Sequence, residues 1–135
     1  MEDKKEVLFS YFKTNVAPIL VDFIFGKDFN NAVILSADIS VNELNGHYED
    51  INFVPPFWFN ELKDKKILVI DKIDNVLKDE QLKFIELLKY KKISTFSLPD
   101  DVVIIVTANK INSDTIHEEI LSLVAKIWGE LWNMI

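Results

Sequence analysis

The segment around residues 66–74 constrains the fold more than any other part of the chain. Its four consecutive apolar residues, 67–70, are followed directly by the carboxylate of Asp71. An uninterrupted apolar run of this length is typical of a strand buried on both faces, as in a parallel sheet. The sequence therefore predicts a buried parallel strand that places the Asp71 side chain at the edge of a sheet.

Other elements extend this pattern on both sides. Residues 31–36 and 102–107 are further apolar runs, and residues 79–92 form an amphipathic pattern with acids in its first turn and lysines in its last, as a helix dipole favours. Alternating strands and helices predict right-handed crossovers and a parallel sheet covered by helices. With 135 residues, 49% of them hydrophobic, the chain can bury one ordinary core. We therefore predict an α/β fold of three layers, α/β/α, with a mainly parallel sheet in a single domain spanning 1–135.

The two ends of the chain carry helical patterns. Residues 4–25 have apolar pairs four positions apart, which predicts a helix that Pro18 breaks or kinks; a strand over 6–12 is the alternative. Residues 115–135 predict a second helix with one apolar face. Its face comprises Ile116, Ile120, Val124, Ile127, Leu131 and Ile135.

Three shorter segments interrupt the regular elements. Residues 38–50 are largely polar and contain the turn signal Asn45-Gly46. Pro55-Pro56 ends any regular element and places the aromatic residues 57–59 on an irregular segment, where core positions are favoured over a stacking platform. Residues 93–98 alternate apolar residues with Ser and Thr, which is typical of a short strand or hairpin.

Composition excludes several classes of function. The net charge is −7 and every basic residue is a lysine, which argues against generic nucleic-acid binding because that depends on neutralising phosphates. The chain has no cysteine, and His47 and His117 are too far apart to suggest a zinc site. The N-terminus is polar and acidic, unlike an export signal, and charged residues interrupt every apolar stretch before 18 residues. We expect a cytoplasmic protein that binds no membrane.

From about Ala32 to Asn112 the order of features resembles the AAA+ superfamily, and most closely its MoxR-type branch. The strand ending in Asp71 resembles a Walker B strand, and Asn109 occupies the position of the sensor 1 residue. Supporting features are the helix over 80–90, the hairpin-like segment 93–101 and the proline-aromatic segment Val54–Trp58.

The resemblance implies a candidate nucleotide site. Asp71 would ligate magnesium when a nucleotide binds, Asn109 would contact the nucleotide, and Lys13-Thr14 would correspond to the end of a Walker A loop. Structural roles are the alternative for each of these residues. A carboxylate at a strand end accepts local backbone N–H groups, an asparagine often lies in a turn, and Lys13-Thr14 would face solvent on a helix.

The chain departs from the AAA+ pattern at each catalytic feature. A Walker A loop requires G-x-x-x-x-G-K-[ST], but glycine occurs only at 26, 46 and 129, and none can build that loop. Lys72 replaces the Walker B glutamate, with Asp74 as the alternative base, and the absence of arginine removes any arginine finger. The 26 residues after Asn109 are too few for the helical lid of the family.

These departures predict a degenerate AAA+-like domain that has lost catalysis, needs no cofactor and acts through protein–protein contacts as a noncatalytic subunit or adaptor. Trp128 and Trp132, four residues apart beside the apolar face of the last predicted helix, are the candidate interface residues. One alternative is an ATPase that holds Mg-ATP through an unconventional loop or a partner chain. Another is an unrelated small binding domain that has converged on this strand pattern.

Overall fold

The computed structural model describes residues 18–21, 32–94 and 96–127. The strands are β1 (Ile19–Val21), β2 (Ala32–Ser36), β3 (His47–Glu49), β4 (Asn52–Val54), β5 (Ile67–Asp71), β6 (Lys92–Ile93), β7 (Phe96–Ser97), β8 (Val103–Thr107) and β9 (Ala125–Ile127). The α-helices are α1 (Val41–Asn45), α2 (Lys78–Gln81), α3 (Ile85–Tyr90) and α4 (Glu118–Leu123). Three 3-10 helices cover Asn60–Lys63, Ile73–Asn75 and Leu82–Phe84.

Five of the described strands form one parallel sheet in the order β2-β5-β8-β1-β9. β5 is flanked by β2 and β8, with Leu68 opposite Val33 on one side and Ile104 on the other. The strand that ends in Asp71 and the strand that leads to Asn109 are therefore adjacent and point the same way. The predicted α/β fold with a mainly parallel sheet and helices is confirmed, and it agrees with a three-layer core.

Both faces of the sheet are buried along β5 and β8, whereas Ile34 of the neighbouring β2 is 43% exposed. Side chains alternate between the faces along each strand, so Leu68 and Ile70 of β5 belong to one core cluster and Val69 to another. The first cluster includes residues of the helical segments, Phe84, Leu87, Leu88, Ile116 and Ile120. Burying a side chain of this size contributes about 1.5–3 kcal/mol. Burial on both faces explains why the strands carry uninterrupted apolar runs rather than alternating ones.

The helix predicted over 4–25 is wrong where the structure describes it, because Ile19–Val21 form strand β1. This strand lies between β8 and β9, and Leu20 is opposite Val106. Pro18 cannot donate a backbone hydrogen bond, but its carbonyl accepts one from the N–H of Ala125, 2.8 Å away. Pairing on both sides therefore overrides the local helical periodicity. The alternative strand over 6–12 lies outside the described residues.

The helix predicted over 115–135 is correct only in its first part. Ile120 of α4 and Ile116 just before it are buried, as predicted, but Val124 has an extended backbone with φ −116° and ψ 148°. The chain then forms β9, which pairs with β1 at the end of the sheet order. Residues spaced four apart lie on one face of a strand as well as on one face of a helix, and β-branched apolar residues suit a strand. The spacing of the apolar residues therefore did not reveal the change from helix to strand. Residues 128–135 lie outside the described part.

Two antiparallel hairpins, β3–β4 and β6–β7, lie outside the parallel sheet. Gly46 precedes the first hairpin with φ +80°, and a Cβ atom there would lie 2.5 Å from the carbonyl oxygen of Val54. Lys91 precedes the second hairpin in a left-handed conformation that ends α3. Burial lowers the pKa of the Lys91 ammonium, while the nearby Asp100 and Asp101 act in the opposite direction.

The helix predicted over 79–92 is divided into α2, a 3-10 turn and α3, and its Gln81 is fully buried. The Nε2 group of Gln81 donates to the carbonyl oxygens of Ile73 at 3.1 Å, Val76 at 3.2 Å and Thr115 at 2.8 Å. Its Oε1 accepts from the backbone N–H of His117 at 2.9 Å. One side chain thus joins the connection after β5 to the connection that precedes α4.

Membrane insertion of the described helices can be assessed from their length. None of those in 18–21, 32–94 and 96–127 has the length and apolar content needed to cross a bilayer.

Gln81→Leu is expected to lower the free energy of unfolding by about 2–4 kcal/mol, because it leaves several buried backbone groups without a hydrogen-bond partner. Urea denaturation followed by circular dichroism measures the change. Glu80→Gln, at the neighbouring exposed position, is the matched control and is expected to change stability by less than about 0.5 kcal/mol. A Gln81→Leu protein as stable as this control would contradict the structural role of Gln81.

Candidate functional site

The candidate site lies where β5 and β8 end at the carboxyl edge of the sheet. Thr107, the last residue of β8, is buried, and its Oγ1 donates to Oδ1 of Asp71 at 2.8 Å. The same Oγ1 accepts from the backbone N–H of Lys72 at 2.8 Å. A single hydroxyl therefore fixes the Asp71 carboxylate and also the first backbone group after β5.

Lys72 has a left-handed backbone conformation, with φ and ψ both 57°. This conformation costs a non-glycine residue about 1–2 kcal/mol. The hydrogen bond from the Lys72 N–H to the Thr107 hydroxyl contributes about 0.5–1.5 kcal/mol, which partly offsets that cost. The residue directly after Asp71 therefore carries an ammonium group on a backbone kept in place by the neighbouring strand.

Asp74 joins the two connections that leave this edge of the sheet. Its Oδ2 accepts from the backbone N–H groups of Asn109 and Lys110, each at 3.1 Å, and its Oδ1 lies 3.2 Å from the N–H of Asn109. Charge-assisted hydrogen bonds to backbone amides are among the stronger ones in proteins. Asp74 thus stabilises the turn after β8, which is a structural role.

The structure brings two of the predicted site residues to the same edge. Asp71 ends β5, and Asn109 follows β8 by two residues. Asn109 is exposed and makes its described hydrogen bond through its backbone N–H, as expected of a turn residue. Lys13 and Thr14 lie outside the described residues, so their assignment to the site remains a prediction.

Thr107 and Gln81 are the contacts that the sequence analysis missed. Thr107 ends an apolar strand directly after Val106, whose partner in β5 is Ile70, the residue before Asp71. The sequence feature that pointed to a Thr–Asp pair was therefore the polar residue Thr107 at the end of an apolar strand. The signal for Gln81 was a polar residue on the same helical face as Phe84 and Leu88, three and seven positions later.

Asp71 is the candidate metal ligand at this edge of the sheet. Within 18–21, 32–94 and 96–127, no group of three or more His, Asp or Glu residues is arranged to hold a metal ion. Magnesium in nucleotide sites is often held by one or two carboxylates together with substrate phosphates. Asp71 therefore fits the role of a single protein ligand, but the metal would need phosphates held by other parts of the protein.

A cleft of about 500 Å³ opens beside Asp74. It is lined by Asp74, Val76, Leu77, Lys78, Asp79, Asp114 and Thr115. The ammonium of its one lysine donates to the carbonyl oxygen of Ser113 at 2.8 Å. Three carboxylates against one ammonium repel a polyphosphate, so this cleft is unsuited to the phosphates of a nucleotide.

Comparison with known proteins supports the fold. No family model matches the chain, and no curated protein matches it. Among solved structures, the chain is similar to the crystal structure of NtrX from Brucella abortus, with 16% sequence identity and a TM-score of 0.56. The similarity covers 84% of this chain and 32% of NtrX, so the chain spans about a third of that protein's length. At this identity the similarity shows a shared α/β fold with a parallel sheet.

Asp71→Ala is expected to lower the free energy of unfolding by about 1–3 kcal/mol, because the buried Thr107 hydroxyl loses its half-buried acceptor. Asp71→Asn keeps an oxygen that can accept from Thr107 and is expected to cost clearly less. Asp38→Ala, which removes an exposed carboxylate two residues after β2, is the matched control with little effect. Thermal and urea unfolding measure all three. An unchanged melting temperature for Asp71→Ala would contradict the anchoring role.

Proposed function

We propose that this chain is an AAA+-like domain without ATPase activity that acts by contacting other proteins, as a noncatalytic subunit or an adaptor. The observation that carries the proposal is the arrangement at the carboxyl edge of the sheet. There Asp71 is hydrogen-bonded to Thr107, and Lys72 occupies the position of the family's glutamate.

The chemistry of Lys72 supports the loss of hydrolysis. A protonated ammonium cannot accept a proton from water, and it becomes a base only when its pKa falls by several units. The first carboxylate after Lys72 along the chain, Asp74, accepts hydrogen bonds from the turn after β8. The proposed domain therefore lacks a general base at the position where AAA+ enzymes activate water.

The charge of the chain supports the proposal that its affinity for nucleotides is low. It contains no arginine, so no bidentate guanidinium is available to a phosphate group. The described cleft beside Asp74 is acidic, and the net charge of −7 adds a general repulsion toward polyphosphates. Tight nucleotide binding would require phosphate contacts from elsewhere in the protein.

Calorimetric titration with Mg-ATP tests the proposal directly. We expect a dissociation constant above about 10 μM, weaker than roughly −7 kcal/mol of binding free energy, and no measurable turnover. Lys72→Glu is expected to gain no ATPase activity, because it restores the carboxylate without restoring phosphate contacts. Turnover by the wild-type protein that is lost in Asp71→Ala but kept in Asp38→Ala would instead support a nucleotide-binding enzyme.

Trp128 and Trp132 remain the proposed interface residues near the C-terminus, and both lie outside the described residues. The continuous helical stripe that first suggested them ends with α4 at Leu123, so the support for them is now their size and spacing alone. Trp128→Ala combined with Trp132→Ala is expected to weaken self-association or partner binding without loss of the fold. Analytical ultracentrifugation and circular dichroism measure the two effects. A monomeric wild type together with an unfolded double variant would assign both residues to the core.

A further inference from the structure

The cleft beside Asp74, which we call the Asp74 cleft, has two walls that are tied together. One wall comes from the segment after β5 and the other from the segment after β8; they comprise Asp74 with residues 76–79, and Asp114 with Thr115. The buried Gln81 joins them, because its Nε2 donates to the carbonyl oxygens of Val76 at 3.2 Å and Thr115 at 2.8 Å. The cleft is therefore preformed and does not depend on a ligand for its shape.

The charges that line the Asp74 cleft are unbalanced. Its one lysine, Lys78, donates to the carbonyl oxygen of Ser113 at 2.8 Å, and the Asp74 carboxylate accepts from two backbone N–H groups. Asp79 and Asp114, one on each wall, are exposed, and no lysine of the described segments lies within ion-pair distance of either carboxylate. A cleft lined mainly by one sign of charge concentrates ions of the opposite sign, so this one attracts cations.

The same cleft has an apolar part. Val76 is half-buried and Leu77 is 74% exposed, and both belong to the lining that contains the carboxylates. A single exposed leucine is common on protein surfaces, but this one shares a cleft with two carboxylates that have no described cation. Lysine and arginine combine an apolar stem with a charged head, so a basic side chain matches both parts of the lining.

Size and chemistry narrow the class of ligand further. The volume of about 500 Å³ lies within the range of about 300–1,000 Å³ that ligand pockets occupy. No set of three His, Asp or Glu side chains among the described residues is arranged to hold a metal ion, and the excess of carboxylates repels a phosphate group. The lining therefore fits an organic cation that carries an apolar portion.

We propose that the Asp74 cleft binds a segment of another protein in which an arginine or lysine is next to an apolar residue. The cationic head pairs with Asp79 and Asp114, and the apolar neighbour packs on Leu77. This inference rests on the proposed function, since it names a surface and a partner chemistry for a domain that acts by protein contact.

Fluorescence anisotropy with three labelled synthetic peptides of equal length tests the chemistry of the partner. The first peptide combines arginine with leucine, the second has glutamate in place of arginine, and the third has serine in place of leucine. The arginine-leucine peptide is expected to bind the full chain at least about tenfold tighter than the other two, and its affinity is expected to fall with rising salt. Arginine is the cation of choice because this chain contains none, so a contact between two copies of the chain cannot supply it.

Substitutions in the lining locate the binding. Asp79→Asn with Asp114→Asn is expected to weaken the arginine-leucine peptide at least about tenfold and to reduce its salt dependence, because both side chains keep their shape and lose their charge. Leu77→Ser is expected to weaken the peptide at least about fivefold. Leu77 is the N-cap of α2 and has an extended backbone, where serine is a favoured residue, so this substitution retains the fold.

The matched controls are exposed residues that do not line the cleft. Asp38→Asn with Glu43→Gln removes two charges, and Ile51→Ser removes an apolar side chain that is 92% exposed. Each control is expected to change the affinity by less than about threefold. Circular dichroism must show an intact fold for each variant that is compared, and a double variant that unfolds is replaced by its two single substitutions.

Equal binding of the three peptides, or an equal loss of affinity in the control variants, would overturn the inference. Binding of free arginine amide as tight as that of the peptide would also overturn it, because the cleft would then be a site for a small cation. The same holds for self-association of the wild type that Asp79→Asn with Asp114→Asn abolishes. Failure of peptide binding without ATPase activity contradicts this inference alone, whereas turnover that depends on Asp71 contradicts the proposed function whatever the peptides do.

Discussion

The structure depends on the interior position of β5, which is paired with β2 and β8 along both of its edges and covered on both of its faces. A strand in this position has no site for a polar side chain except at its ends, because an unpaired polar group in such a core costs several kcal/mol. Asp71 satisfies this constraint at the last residue of the strand. The polar chemistry of the domain is thus concentrated at one edge of the sheet by the packing of its centre.

Three polar side chains then hold that edge together. Thr107 contacts the end of β5, Asp74 binds the turn after β8, and Gln81 reaches the segment before α4. Each of these side chains joins the segment that follows β5 either to β8 itself or to the segment that follows β8. These contacts engage the Thr107 hydroxyl, the Asp74 carboxylate and the Gln81 amide in holding the connections together. They give this edge of the sheet a structural function.

The sequence predicted the parts of the fold in which local pattern and environment agree. β2, β5 and β8 were predicted within about one residue because strands buried on both faces carry uninterrupted apolar runs. β1 and β9 were not predicted, since each has only three residues and depends on its neighbours: β1 pairs with β8 and β9, and β9 pairs with β1. At the candidate site, the sequence predicted the position of Asp71, because this residue ends the apolar run of its strand. The hydroxyl of Thr107 that binds it could be identified only once the register of β5 and β8 was known.

The order of strands in the sheet also has a consequence for how the chain folds. Ile19 of β1 is opposite both Ile105 and Ala125, so a strand near the start of the chain pairs with two strands near its end. Contacts between such distant residues require closure of long loops before they contribute any energy, which slows folding. During synthesis β1 has no partner until β8 has left the ribosome, and its second partner follows later still. Until β8 has been synthesised, the apolar residues of β1 are without this partner, and their protection from aggregation falls to chaperones or to rapid synthesis of β8 and β9.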